Sequence, residues 1–118
     1  MPLDAVRSGV LEHVAAFNAH DTERVLAGFT SDAVWITGTD RFEGIAALAD
    51  VFDAWLWTLD PRLEVLSLVT EDQRAAAQLH ESLVVDGQRR DFDIAVFFEL
   101  DGGQIRLGKV YREGSAEL

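Results

Sequence analysis

The sequence predicts an α+β domain in which helices from the first half cover one face of a curved, mainly antiparallel sheet. Two observations carry this. Apolar residues recur at helical spacing as far as Leu59, and from Arg62 onward strand-like runs follow one another through short turns. The 118 residues suit one domain, 1–118, long enough to bury a core without disulfides.

Taken in order, Val6, Val10, Val14 and Phe17 make residues 3–18 an amphipathic helix. Asp21 is placed to N-cap a second short helix, TERVLAGF, and Gly28 with TSD breaks the pattern. AVWITG is a short strand rich in β-branched and aromatic residues. TDRFEG reads as a tight connection ending at Gly44. IAALADVFDAWLWTL is a third helix, with a stripe of Ile45, Leu48, Phe52 and Trp55 or Leu56, stopped by Asp60-Pro61. RLEVLSLVT, RAAAQLHESLVV, RDFDIAVFFEL and QIRLGKVYRE are four strands. Their separators ED, DGQR and DGG are the turn chemistry of an antiparallel meander. EGSAEL reads as a frayed tail.

Composition excludes several functions. A net charge of −11 repels phosphate backbones and anionic membranes, so neither nucleic acid nor membrane is an expected partner. With no cysteine there is no disulfide framework, thiolate nucleophile or cysteine-ligated zinc. The three histidines lack metal-ligand spacing, and no glycine loop suits a phosphate; no metal and no cofactor is expected. The N-terminus has no run of signal-peptide type and no segment reaches the length of a membrane span, so the expected location is cytoplasmic.

Three phrases, FNAHDTERVLAGFTSDAVW, FEGIAAL and FFELDGGQIRLGKVY, occur in an order and spacing that resemble the nuclear transport factor 2-like superfamily. This cone-shaped fold is shared with SnoaL-like cyclases, ketosteroid isomerase and limonene-epoxide hydrolase. The resemblance covers nearly the whole chain. It implies three helices packed on a strongly curved sheet, a cone with an internal, mostly apolar cavity. It does not select among enzymes, ligand binders and dimerisation modules.

Strand parity sorts the residues around such a cavity. In QLHESLVVDG, Leu79, Glu81, Leu83 and Val85 form the more apolar set and should face inward, leaving His80 outside. In RDFDIAVFFEL the inward set is Phe92, Ile94, Val96, Phe98 and Leu100, with Asp93 outside. The last strand gives conflicting signals. Hydrophobicity favours Ile105, Leu107 and Tyr111 inward, whereas the resemblance favours Val110 and Arg112, with Tyr111 outside in a dimer contact. The resemblance is followed here. On the first strand Trp35 and Thr37 share the cavity-side parity. Trp55 on the third helix is cavity wall or core, and Trp57, off the stripe, is a surface or interface residue.

An inward glutamate is costly to ionise, so the Glu81 pKa should rise unless a cation or donors offset the desolvation. A raised value suits a general acid or base; the bland reading is a structural pair with an arginine such as Arg112. His13, between Val10 and Phe17, is expected at the cavity edge, where a lone histidine is more often a hydrogen-bonded boundary residue.

Two catalytic sets that the resemblance brings to mind are missing. For the isomerase, the matching positions are Thr37 for the base, Val10 for a tyrosine and Val96 for a protonated acid. The hydrolase needs an Arg-x-Asp pair and a second aspartate, where this chain has AQLHE and Val110. A SnoaL-like cyclase uses a single acid/base aspartate in an apolar cavity, a part open to Glu81 with His13 as partner.

The first expectation is therefore a protein binding a small hydrophobic molecule, with cofactor-independent acid/base chemistry of isomerase, dehydratase, cyclase or hydrolase type. Glu81 would move the proton, and His13 or Arg112 would stabilise charge. Trp35, Thr37, Trp55, Leu79, Val96, Phe98 and Val110 would line the pocket. The alternative is a non-catalytic homodimeric binding or interaction module, with Ala95, Phe97, Leu107 and Tyr111 in the dimer contact.

Overall fold

A computed structural model describes the backbone of residues 2–113 and the side chains of residues 5–113. Apart from Glu113, the tail EGSAEL lies outside the described residues. The chain runs α1 (Pro2–Asn18), α2 (Thr22–Ala27), β1 (Phe29–Thr37), β2 (Asp40–Glu43), α3 (Ile45–Ala54), a 3₁₀ turn (Leu56–Leu59), β3 (Arg62–Glu71), β4 (Arg74–Val85), β5 (Gln88–Asp101) and β6 (Gln104–Arg112). The six strands form one curved, unclosed sheet in the order β2-β1-β6-β5-β4-β3. The meander β3 to β6 is antiparallel throughout, and β1 joins it by pairing parallel to β6. No helix among the described residues is long and apolar enough to cross a membrane.

Local chemistry explains most of the boundaries. Asp21 accepts the amide N–H of Arg24 at 3.1 Å and caps α2, while Gly28 closes it. Asp86-Gly87 turns β4 into β5 with φ of 51° and 77°, a left-handed pair that Asp tolerates and Gly adopts freely. Asn18 ties the end of α1 to β3: its amide donates to the Leu63 carbonyl at 2.9 Å, and its Oδ1 accepts the Leu63 N–H at 2.7 Å.

The core lies between α1, α3 and the concave face of the sheet. Val6, Val10, Val14 and Phe17 of α1, with Leu48 and Phe52 of α3, pack on Leu79, Ile94, Val96 and Phe98.

Four expectations need correction. The TDRFEG segment is no mere connection: its central residues form the short edge strand β2, paired with β1 from Val34↔Glu43 to Thr37↔Asp40. The first strand begins at Phe29 rather than Ala33, with a shift of register between Phe29 and Val34 against β6 that accommodates TSD.

The third helix ends at Ala54. Trp55, at φ −139°, leaves the helical conformation, and the chain resumes as the 3₁₀ turn. That break rotates Trp57 inward. Far from being a surface residue, Trp57 stacks on Phe52 at 5.2 Å and on His20 at 4.9 Å, and its indole N–H donates to Thr22 Oγ1 at 2.8 Å.

The conflict on the last strand has a physical resolution. Between Glu99↔Leu107 and Leu100↔Ile105 the β5–β6 register slips by one residue, at Arg106. This bulge reverses the side-chain parity part-way along β6. Ile105 before it and Gly108, Val110 and Arg112 after it all face inward, and Tyr111 stays exposed.

Candidate active site

The concave face and the helices enclose a cavity of about 470 Å³. Its floor is made by buried residues, among them His13, Leu48, Leu79 and Phe98. Its rim carries exposed ones, Gly38, Thr39, Asp40 and Trp55, the last 59% exposed. The size falls within the range of about 300–1,000 Å³ typical of small-molecule pockets.

Glu81 enters this cavity from β4, where its strand partners are Leu63 and Phe92. It is 5% exposed, while its neighbour His80 sits on the opposite face, as pleating requires. Burial of a carboxylate among apolar side chains needs compensation, and Arg112 supplies it. The guanidinium donates to Glu81 Oε1 twice, from Nη2 at 2.9 Å and Nε at 3.2 Å. Its Nη1 donates to Thr37 Oγ1 at 2.8 Å. Three strands thus contribute one residue each to a polar cluster near the mouth. Among the described residues no hydrogen bond falls on Glu81 Oε2, and Glu81 lines the cavity.

The energetics of such a pair are asymmetric. Forming it returns little net stability, because desolvating both ions cancels most of the attraction, whereas removing one partner strands a buried charge at about 3–5 kcal/mol.

His13 is the second polar group. It is 5% exposed, deeper than the expected boundary position, and its rings of contact are Phe29, Trp35, Phe98 and Phe17 at 5.5–6.2 Å between centroids. Nδ1 is buried with no hydrogen-bond partner among the described residues. Burial in this aromatic shell lowers the imidazole pKa from 6.5 to about 4, so the ring is neutral at physiological pH.

Trp35 leans across the sheet onto Gly108 of β6, its cross-strand partner. A methyl group at Gly108 would collide with the indole ring, so the absence of a side chain there is what lets Trp35 lie flat on the wall.

All seven residues expected as pocket lining, Trp35, Thr37, Trp55, Leu79, Val96, Phe98 and Val110, contact the cavity, as do Glu81, Arg112 and His13. Trp55 is rim rather than core. Phe42 and Asp40 of β2 also line the cavity and were not anticipated, because DRFE is too short and polar to signal a strand. The close approach of Trp35 to Gly108 was not anticipated either; a lone glycine inside a strand pattern is the signal for it. Among the described residues no group of three or more His, Cys, Asp and Glu side chains is arranged to hold a metal ion.

The outer face presents a different chemistry. His80 Nδ1 lies 2.9 Å from Asp93 Oδ1 and Nε2 lies 3.2 Å from Asp91 Oδ1. Hydrogen bonds to Asp93 and then to Asp91 raise its pKa. Nearby Phe97 and Tyr111 meet edge to face at 5.8 Å and are 55% and 49% exposed.

Residues 10–107 match the family model of the SnoaL-like domain. The chain belongs to the SnoaL-like family. Solved structures agree on the nuclear transport factor 2-like fold. An epoxide hydrolase of the limonene-epoxide-hydrolase type from M. tuberculosis superposes with a TM-score of 0.86 at 19% identity, covering 94% of this chain and 84% of the other. SalBIII, an epoxide hydrolase/cyclase-like enzyme of pyran ring formation in the polyether salinomycin, gives 0.85 at 21% identity, covering 93% and 92%. TerC, co-crystallised with polyporic acid, gives 0.84 at 18%, covering 96% and 95%. No curated protein matches the sequence.

Proposed function

We propose that this SnoaL-like protein binds a small, mainly apolar molecule in its cavity and performs cofactor-independent acid/base chemistry on it, with Glu81 as the proton-transferring group. The observation that carries this reading is the asymmetry of the Glu81 carboxylate. One oxygen is fixed by two Arg112 N–H groups and the other is left without a partner among the described residues, in a cavity large enough for a ligand. A carboxylate held this way is oriented and shielded from bulk water, the arrangement a proton-transferring group requires.

The reaction class that fits is addition of a hydroxyl or water to an epoxide or other electrophilic carbon. Glu81 Oε2 takes the proton of the attacking O–H as the new C–O bond forms. The bond to the departing oxygen breaks, and the same proton returns to that oxygen, leaving the protein unchanged. Arg112 stabilises the negative charge while it moves. The superposition on an epoxide hydrolase and on an enzyme of pyran ring formation supports this class through shared fold alone.

Incubation with a panel of aryl and hydroxyalkyl epoxides, followed by chromatography, tests the reading. Turnover that Glu81→Gln abolishes, while cavity binding followed by Trp35 and Trp55 fluorescence persists, is the expected result. Binding without turnover of any member would remove the catalytic part of the reading.

A second reading has its own observation. Phe97, Tyr111 and Val69, the last 62% exposed, leave apolar surface on the outer sheet face. That favours a homodimer built across this face, with the cavity as a non-catalytic binding site. Sedimentation of the native chain and of Phe97→Glu decides it: a native dimer dissociated by the substitution supports this interface, and a native monomer excludes it.

A further inference from the structure

The cavity has polar chemistry at two places, with apolar wall between. At the mouth, Thr37 Oγ1 already accepts from Arg112, so its own O–H remains available to donate, and Glu81 Oε2 remains available to accept. A donor and an acceptor side by side suit a hydroxyl, which is both.

At the floor stands His13, 95% buried by complement of its 5% exposure, carrying a ring with no hydrogen bond among the described residues. Buried polar groups are almost always satisfied, so an unpaired imidazole in a native core calls for an explanation. Nδ1 is the ring atom buried without a partner among the described residues, and His13 lines the cavity. Nε2 is therefore the atom that can meet a ligand. A hydroxyl partner serves whichever tautomer the ring adopts.

The spacing between the two ends follows from the strands. His13 lies against Trp35 and Phe98, which pair with Gly108, whereas Thr37 pairs with Val110 and the mouth cation is Arg112. From Gly108 to Val110 or Arg112 is two to four residues, roughly 7–13 Å at about 3.3 Å per residue. Trp35 and Phe98 flank this span with aromatic surface. Arg112 is the one Arg or Lys lining the cavity among the described residues, and it is committed to Glu81. An anion at the floor would meet no cation.

Resting on the reading that the cavity binds a small apolar molecule, we propose that its ligand is a neutral, elongated molecule with an aromatic or apolar body and a hydroxyl at each end. One hydroxyl bonds His13 Nε2 at the floor; the other sits between Thr37 and Glu81 at the mouth. His13 is in this account a specificity-determining residue, and its neutrality, maintained down to about pH 4, is what keeps the floor selective against charged groups.

The test compares three probes by tryptophan fluorescence titration: biphenyl with a para hydroxyl on each ring, biphenyl with one, and biphenyl with a carboxylate on each ring. The native protein should prefer the dihydroxy over the monohydroxy compound by roughly ten-fold, the scale of one additional hydrogen bond, and should not bind the dicarboxylate. In His13→Leu the ratio of the two hydroxy affinities should fall to near one. Should that variant fail to fold, ¹⁵N NMR of the native histidine rings gives an independent answer: the dihydroxy compound must shift the His13 Nε2 resonance. Equal affinity for the mono- and dihydroxy compounds, or an unmoved Nε2, overturns the proposal and leaves the cavity-binding reading standing. Failure of every biphenyl to bind the native protein overturns both.

Discussion

The two faces of the same sheet treat titratable side chains in opposite ways. On the convex face His80 stands in solvent between two carboxylates, which raise its pKa. On the concave side His13 is buried, its Nδ1 without a partner among the described residues, and desolvation lowers its pKa to about 4. Acidic residues divide similarly: Asp91 and Asp93 share an exposed network, while Glu81 lies buried on a single arginine. Strand pleating produces this contrast between adjacent residues, His80 and Glu81. The lesson is that desolvation and pairing, rather than residue type, set what each group can do.

The largest way to break the contrast is by pH. His13 binds its proton less tightly in the native state than at the unfolded value of 6.5. Its contribution to stability is thus fully present above pH 6.5 and is lost as pH falls towards about 4, a difference of about 3 kcal/mol. Urea titrations at intervals across this window should show the decline, and His13→Leu should flatten it. An equally steep decline in the variant would assign the effect to other groups.

Removing the cation comes next. Arg112→Met should cost about 3 kcal/mol by leaving Glu81 buried and unpaired, and adding Glu81→Gln should restore most of it. A double variant no more stable than the single would mean that Arg112 acts independently of Glu81.

Gly108→Ala should cost about 2 kcal/mol through collision with Trp35 and should also weaken probe binding in the cavity. Thermal unfolding and the fluorescence titration measure both together. On the outer face, Phe97→Ala should cost about 1 kcal/mol or less in the monomer, since it removes mainly an exposed edge-to-face contact with Tyr111.

The smallest effect is His80→Gln. A raised pKa means that the stabilisation from His80 is fully present below pH 6.5 and fades as pH rises through the native value. The substitution should therefore lower the melting temperature slightly at pH 5.5 and not at pH 9, the reverse of the His13 behaviour. A loss of the same size at both pH values would trace to packing instead.

Much of the fold and part of the site could be read from residues alone, and the boundary between legible and illegible is physical. Alternation in β4 and β5 is unbroken across the cavity, so the inward positions of Glu81, Ile94, Val96 and Phe98 follow from parity. On β6 the bulge at Arg106 changes parity mid-strand, and no hydrophobic pattern reveals an inserted residue of that kind. Trp57 was misplaced because a helical period was extended through Trp55, where the backbone leaves the helix. Arg112 was one of two fates open to Glu81, and only three-dimensional proximity selects it. The unpartnered Nδ1 of His13 depends on every neighbour that might have bonded it, which a single sequence does not display.

The parallel pairing of β1 with β6 also governs when the site comes into being. Thr37 and Arg112 are 75 positions apart, and Glu81 and Arg112 are 31 apart. Contacts so distant along the chain form late, because loop entropy must be overcome before they are rewarded. Helices and the β4–β5 hairpin can assemble from local contacts, yet the polar cluster has no cation until the last strand is docked between β1 and β5. Ligand binding during refolding should consequently lag the helical signal and coincide with the final step. Occupancy of the pocket is in that sense a readout of a fully closed chain.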